Sequence, residues 1–406
     1  MKFKLTSLEK KWVLYDVGNS AFTLLVSTLI PIFFSLIAGD SEASATVYLG
    51  YATSIATAVV ALLGPVLGAA SDLRGMRKKI FLIALLAGAV GCAVLGFIQH
   101  WIWFLVLFVL AKSAYSLSLV VYDSMLTDIT DKDRMDEVSS HGYAWGYIGS
   151  CIPFIISLLL VLFYDKIGIS MELAMGGAFL LTAIWWVGMA FPLIAAYQQK
   201  NFTPVTKSPV SSGLKRLARI FSELKEKKKI LFFLIAFFFF IDGVYTIIDM
   251  ATAYGTALGL DTTGLLLALL LTQIVAFPAA LTFGRLSRKA PASRLILICI
   301  GAYFCISLYG IILSKQYQFW ILAVCVGIFQ GAIQSLSRSY FAQIIPEDRS
   351  GEYFGIYDIC GKGASFMGTM LVSLVSQISG SVNLGVGALS LMFLIGFLFF
   401  IKTDKI

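Results

Sequence analysis

Long apolar runs separated by short polar breaks recur from one end of the chain to the other, and their length carries the first reading. A helix needs roughly 20 predominantly apolar residues to cross a hydrocarbon core. Runs of about that length fall at 12–38, 46–70, 79–98, 101–126, 141–163, 173–197, 230–256, 262–284, 293–313, 318–342, 353–378 and 382–401. They predict an all-α membrane protein with twelve transmembrane helices. One break is long and polar: residues 198–229 hold Pro204, Pro209 and a Lys/Arg-rich stretch from Lys215 to Lys229. It divides the chain into an N-terminal six-helix bundle (1–197), a basic cytoplasmic linker (198–229) and a C-terminal six-helix bundle (230–406).

An internal repeat agrees with that division. A shift of 219 residues lays Trp101 on Trp320, Ser116-Leu117-Ser118 on Ser335-Leu336-Ser337, Gly142 on Gly361 and Gly149 on Gly368. At a slightly smaller offset, Pro65 matches Pro278. Short matches at a near-constant offset point to two pseudo-symmetric six-helix bundles of the kind secondary transporters use.

Composition fits the same picture. Hydrophobic residues make up 59% of the chain and charged ones 13%, with a mean hydropathy of +0.87. No soluble core of this size hides that much apolar surface. The net charge of +8 comes from basic clusters between apolar runs, a topogenic pattern rather than a nucleic-acid surface. Those clusters lie at Lys2–Lys11, Arg74–Lys79, Lys200–Lys229, Arg285–Arg294 and Lys402–Lys405, whereas the alternate loops carry only Lys166 and Lys315. The expectation is an inner-membrane protein with both termini cytoplasmic. Trp101, Trp103, Tyr317 and Trp320 fall at the outer boundaries, where amphipathic rings prefer to sit. The N-terminus lacks a cleavage-site pattern, so the first span is expected to be retained. All six cysteines lie inside apolar runs with no CxxC spacing, which supports neither disulfides nor a metal site. No GxxxxGK[ST] motif is present, which disfavours a one-chain ATP-driven pump. His100 and His141 sit at span ends and read as structural or interfacial.

Polar side chains are costly at membrane depth and usually face the bundle interior. Here they form stripes in four spans. Asp16, Asn19, Ser20 and Thr23 share one helix face, as do Asp242, Tyr245, Thr246 and Asp249. Lys112, Tyr115 and Ser116 lie in the fourth span, and Gln330, Gln334 and Arg338 in the tenth. Spans one, four, seven and ten occupy equivalent places in a repeat of three-helix units, so their stripes suggest one lined cavity; helix-to-helix adhesion is the plainer alternative. The expected lining is Asp16, Asn19, Lys112, Tyr115, Asp242, Tyr245, Thr246, Gln273, Gln330 and Gln334. Lys112 and Asp242 fall mid-span and read as solute-charge recognition, with proton exchange at Asp242 as a coupling step; a buried ion pair is the structural reading. Asp249, nearer the outer surface, reads as part of a gate. Asp358 and Lys362, spaced i, i+4, are expected to pair within their helix. Gly64xxxGly68, Gly142xxxGly146 and Gly327xxxGly331 allow close helix approach.

The loop after the second span reads Gly68-Ala69-Ala70-Ser71-Asp72-Leu73-Arg74-Gly75-Met76-Arg77-Lys78-Lys79. It resembles the GxxxDxxGxRxx signature of the major facilitator superfamily. Asp72, Arg74 and Arg77 are accordingly expected at a cytoplasmic gate, with Arg338, Asp358 and Lys362 as further gating residues. In the second half, Phe283-Gly284-Arg285-Leu286-Ser287-Arg288-Lys289 has Arg285 where Asp72 would fall. Further stretches are similar to the vacuole effluxer branch, the autophagy-related amino-acid exporters of fungi and their bacterial relatives. They are Tyr15-Asp16-Val17-Gly18-Asn19-Ser20-Ala21-Phe22, Ser139–Gly149, Asp242-Gly243-Val244-Tyr245-Thr246-Ile247, Gln330–Tyr340 and Gly351–Asp358 with Gly361-Lys362. His141 stands where that branch would have arginine, and the short loops suit a bacterial member. The resemblance implies a major facilitator fold and secondary transport of a small organic solute, an amino acid or related metabolite, by alternating access. The expected partners are that solute and membrane lipids, with no nucleic acid, no cofactor, no metal and a monomeric chain. A lipid or drug flippase of the same fold, or a non-transporting receptor or scaffold, are the alternatives; an enzyme is not expected.

Overall fold

The computed structural model describes residues 3–38, 42–203 and 222–405, without the side chains at 42–46, 262, 263, 266 and 362–366. The expected contact of Asp358 with Lys362, and most of the basic linker, therefore lie outside the described residues. The elements are α1 (Ser7–Ser27), α2 (Leu29–Ala38), α3 (Glu42–Ser71), α4 (Met76–Leu95), α5 (Trp101–Ser124), α6 (Leu126–Ile129), α7 (Met135–Leu162), α8 (Tyr164–Ile167) and α9 (Met171–Ala196). They continue with α10 (Lys228–Ala257), α11 (Thr262–Leu286), α12 (Ala292–Ile311), α13 (Gln316–Ile344), α14 (Ser350–Ser379) and α15 (Val382–Lys405).

Among the described residues, ten helices are long and apolar enough to cross a membrane. The first expected span is instead a bent pair, α1 and α2, meeting at 41°. At that break Thr28 leaves helical geometry and its hydroxyl donates back to the Leu24 carbonyl. The twelfth arm is α14, whose Met367–Ser379 part is apolar. Each of the twelve expected runs thus becomes a helical arm. The ends shift by a few residues because caps and turns, not hydropathy, set them. Thr6 and Glu9 form a capping box for α1, and Asp261 accepts from the Gly264 amide at the start of α11. Gly75, at φ 73°, makes the reversal into α4, a backbone conformation that costs an L side chain steric strain.

The chain forms two compact units. One comprises Met1–Thr130, Trp145–Gly213 and Glu347–Gly355; the other comprises Asp131–Ala144, Leu214–Pro346 and Ile356–Ile406. Within the first, α1 packs on α9, α3 on α5, and α4 on both α5 and α9. Within the second, α10 packs on α15, α11 on α13, and α12 on both α13 and α15. The same packing scheme is built twice, as the 219-residue repeat requires. Each unit also holds the opening turns of a helix whose remainder belongs to the other: α14 in the first, α7 in the second.

The cores differ in chemistry. In the first unit Trp12 stacks on Tyr122 at 4.6 Å, and each ring donates to the other residue's backbone carbonyl. In the second, Phe233 gathers Phe237, Tyr340, Phe341, Tyr357 and Phe400 around it. Large apolar side chains such as Ile83, Trp103, Phe191 and Ile378 point outward, as a lipid-facing surface requires.

Candidate functional site

A buried polar cluster closes one end of the first unit, built around the loop between α3 and α4. Asp72 is 1% exposed. Its Oδ1 accepts from Arg77 Nη2 at 2.6 Å and from the Gly351 amide at 2.8 Å, while Oδ2 accepts from the Glu352 amide at 2.9 Å. Gly351 and Glu352 lie in the first turn of α14, where backbone N–H groups have no helical partner and the helix dipole favours an anion. Close approach makes this possible: a Cβ on Gly68 would collide with the Gly351 carbonyl, and one on Gly355 would fall 2.6 Å from the Pro65 backbone.

Arg77 holds the cluster together. It is fully buried and also donates to Asp128 Oδ2 at 2.7 Å. Arg74 is the outward-facing member of the loop, its guanidinium 5.4 Å above the Phe202 ring. Of the two gate arginines expected in this loop, Arg77 is the one that meets Asp72. Asp128 escaped the sequence reading, although a carboxylate at the end of an apolar span, "MLTDIT", was the available signal. Burial pushes Asp72 up to about 6, against the opposing pull of Arg77 and the two α14 amides. Burial likewise pushes the Tyr197 phenol well above its ordinary value, so it stays a donor, and it donates to Asp128 Oδ2.

The second unit carries a counterpart of reversed polarity. Here the loop after α11 supplies a base: Arg288 grips Glu137, in the first turn of α7, with a two-point contact through Nε and Nη2. Arg285, aligned with Asp72 by the sequence, is exposed. Arg338 is 2% exposed, donates to the Ser139 hydroxyl at 2.9 Å and carbonyl at 3.1 Å, and lies 4.3 Å over the Tyr143 ring. Ser339 and Gln343 donate to Asp136 Oδ1 at 2.6 and 2.8 Å. Arg338 therefore docks α7 onto α13. His141 Nδ1 lies 2.8 Å from the Glu137 carbonyl.

The expected cavity residues fall into a set in each unit. In the first, Asn19 Nδ2 reaches Asp16 Oδ1 at 3.3 Å and the Tyr15 carbonyl at 3.1 Å. Tyr115 meets Thr23 through a 2.7 Å hydroxyl contact and packs against Phe22 and Trp186. Lys112 is half-buried, 3.4 Å from Thr53 Oγ1 and 5.6 Å from the centre of the Phe108 ring. In the second unit Asp242 is fully buried; Oδ1 accepts from Thr246 at 3.2 Å, and Oδ2 has no hydrogen-bond partner among the described residues. Gly368 of α14 seats against both Asp242 and Thr246. Its repeat-mate Gly149 seats against Val17 of α1 in the same manner.

Gln273 and Gln330 line one small cavity of about 40 Å³ with Thr272 and Phe319. The Gln330 Oε1 has no partner among the described residues, and Gln334 is buried beside it on α13. Tyr245 and Asp358 are half-buried, and Asp249 is exposed.

A family model described as vacuole effluxer Atg22 like matches residues 37–405. The chain belongs to the vacuole effluxer Atg22-like family. It is 38% identical over 404 residues to the MFS-type transporter YxiO of Bacillus subtilis (strain 168), covering 98% of this chain and 94% of that one. Autophagy-related protein 22-2 of Aspergillus clavatus is 25% identical over 273 residues, which are 61% of this chain and 44% of the fungal protein. The chain thus spans less than half of that fungal relative. Among solved structures, the human organic anion transporter MFSD10 (TETRAN) aligns with a TM-score of 0.73 at 14% identity, covering 97% of this chain and 99% of that one. FucP in its outward conformation aligns at 0.71 and 14%, covering 98% and 97%. At such identities the likeness is one of fold: the effluxer-family chain has the major facilitator architecture. It is a multi-pass membrane transporter of the major facilitator type and not an enzyme.

Proposed function

We propose that the chain moves a small organic solute, an amino acid or a related metabolite, across the cytoplasmic membrane by alternating access, with proton exchange at Asp242 as the coupling step. The observation that carries the reading is Asp242 itself, fully buried midway along α10 with one oxygen lacking a donor. A buried carboxylate is expensive unless each oxygen is satisfied. A proton or a cationic solute group meets that need. In the first unit Lys112 offers a cation, and Asn19 and Tyr115 offer neutral donors and acceptors, to a solute; in the second unit Tyr245, Gln273, Gln330 and Gln334 offer neutral ones. The amino-acid assignment draws on the likeness to the fungal effluxers.

The test uses purified protein in proteoliposomes, after a thermal-shift screen against amino acids, sugars, nucleosides and lipids has identified a solute. Asp242→Asn is expected to abolish accumulation driven by an imposed pH gradient while solute counterflow persists. Gradient-driven accumulation equal to the parent's would remove Asp242 from the coupling step.

A further inference from the structure

The segment that leaves α9 does not run free into the linker. Tyr197–Thr203 lies along the α3–α4 loop and α6 and is hydrogen-bonded to both. Tyr197 donates to Asp128 Oδ2. The amides of Lys200 and Asn201 donate to Asp128 Oδ1 at 3.3 and 2.8 Å, and Asn201 Nδ2 donates to the Thr127 carbonyl at 3.1 Å. Gln199 works in both directions: Nε2 donates to the Ser71 carbonyl at 3.1 Å, and Oε1 accepts from the Gly75 amide at 2.9 Å. Thr203 completes the course, its amide donating to the Asp72 carbonyl at 2.9 Å in an isolated parallel bridge with Leu73.

These bonds converge on the two acids that flank Arg77. Asp128 takes three of them through its side chain, the neighbouring Thr127 carbonyl takes one, and the backbone around Asp72 engages in the others. The loop's own backbone bonds run from the Asp72 amide to Gly68, the Leu73 amide to Ala70 and the Met76 amide to Leu73, whereas the Gly75 amide and the Asp72 carbonyl are taken up by the segment. A carboxylate aimed at two amides of another helix must be held to within a fraction of an ångström, and loops hold such groups poorly unless a supporting layer fixes them. The segment is that supporting layer.

We infer that Tyr197–Thr203 is a strap that positions the gate, with Tyr197 and Gln199 as positioning residues that hold Asp72 in register with the first turn of α14. Neither side chain touches substrate; both act through Asp72. Tyr197 works by way of Asp128 and Arg77, and Gln199 by way of the backbone on either side of Asp72. The charged groups in the neighbourhood are Arg77, Asp128 and the Arg349–Glu352 pair at the start of α14, in which Arg349 Nε lies 2.7 Å from Glu352 Oε2. The first residues of the linker are thereby part of the gate rather than a tether.

The inference rests on reading the Asp72 contact with α14 as a gate, and the experiment separates the two. Amide hydrogen exchange is followed in the full-length protein in lipid nanodiscs, for the parent, Asp72→Asn, Tyr197→Phe, Gln199→Leu and the double variants carrying Asp72→Asn. Each single strap variant is expected to speed exchange at Gly351 and Glu352 by about threefold or more, as the loss of one buried hydrogen bond implies, with the interior of α4 unchanged. In the Asp72→Asn background the strap variants are expected to add nothing, because they act through that carboxylate. Faster exchange confined to the strap and residues 72–76, or full additivity with Asp72→Asn, overturns the positioning role. If Asp72→Asn itself leaves Gly351 and Glu352 unchanged, the gate reading fails, and the strap inference fails with it.

Discussion

Asp72 shows how one side chain can both dock a helix start and be a liability. It is buried among donors, yet the loss of hydration outweighs what Arg77 and the α14 amides return, so its value in the folded protein rises from the ordinary 3.8 to about 6. A carboxyl raised on folding contributes stability that is fully present below its unfolded value and is lost as pH climbs through the folded one. Thermal unfolding of the detergent-solubilised protein should therefore shift to higher temperature as pH is lowered from about 7 toward 5. Asp72→Asn, which has no charge to desolvate, should flatten that part of the profile. An unchanged slope in the variant would assign the pH dependence to another group. The glycine and acid spacing around Asp72 was legible in the sequence because it is local. The choice of Arg77 over Arg74 was not, since it depends on which residue Gly75 turns inward. Asp128 and Tyr197 meet partners 51 and 69 residues away, so even the visible span-end carboxylate of Asp128 does not name what it binds.

Among the elements, two helix starts are docked by the same geometric device with opposite charges. In the first unit an acid in the loop after α3 accepts from the backbone of α14. In the second a base in the loop after α11 grips an acid in the first turn of α7. The sequence puts Arg285 where Asp72 aligns, yet this loop also meets a helix start, through Arg288 and an acid on that helix. Only the fold could show this, because Arg288 and Glu137 are 151 residues apart. Glu137→Arg alone should weaken the α7 contact, and adding Arg288→Glu should restore it. Arg288 is 40% exposed at its side chain, so the coupling should be about 1 kcal/mol rather than the several expected of a buried pair. Denaturation midpoints of the two single variants and the double variant measure it. Strict additivity would mean that the ion pair does not hold the contact. The corresponding test in the first unit is steric: Gly68→Val should prevent α3 and α14 from meeting and lower the unfolding temperature, since the obstacle is the Gly351 backbone and not a side chain that can turn away.

At the scale of the whole molecule, hydropathy alone located all twelve arms, because a bilayer imposes a length on every span. The break between α1 and α2 lies in a locally apolar stretch, Leu24-Leu25-Val26 before it and Leu29-Ile30 after it, and Pro31 just beyond was the available signal. Orientation depends on which end of each unit carries the basic residues, and the structure sorts them cleanly. In the first unit Arg74, Lys78 and Lys79 follow α3 at the end where the α9 strap docks, and Lys166 lies between α7 and α9 at the other end. The chain start belongs to the basic end, because Thr130 donates to Glu9 Oε1 at 2.7 Å just beyond α6. In the second unit Arg285, Arg288 and Lys289 follow α11, while Lys315 precedes α13 at the opposite end. Lys402, near the close of α15, sits 5.9 Å over Phe232 at the start of α10. Basic loops are retained on the cytoplasmic side, so both termini should lie there. In a background with the six cysteines replaced, Lys166→Cys and Lys315→Cys should react with a membrane-impermeant thiol reagent on intact cells. Arg74→Cys and Lys289→Cys should react only after permeabilisation. All four side chains are exposed, which makes a failure to label a matter of sidedness and not of burial. The reversed pattern would place the Asp72 contact with α14 on the outer face, and the segment after α9 with it.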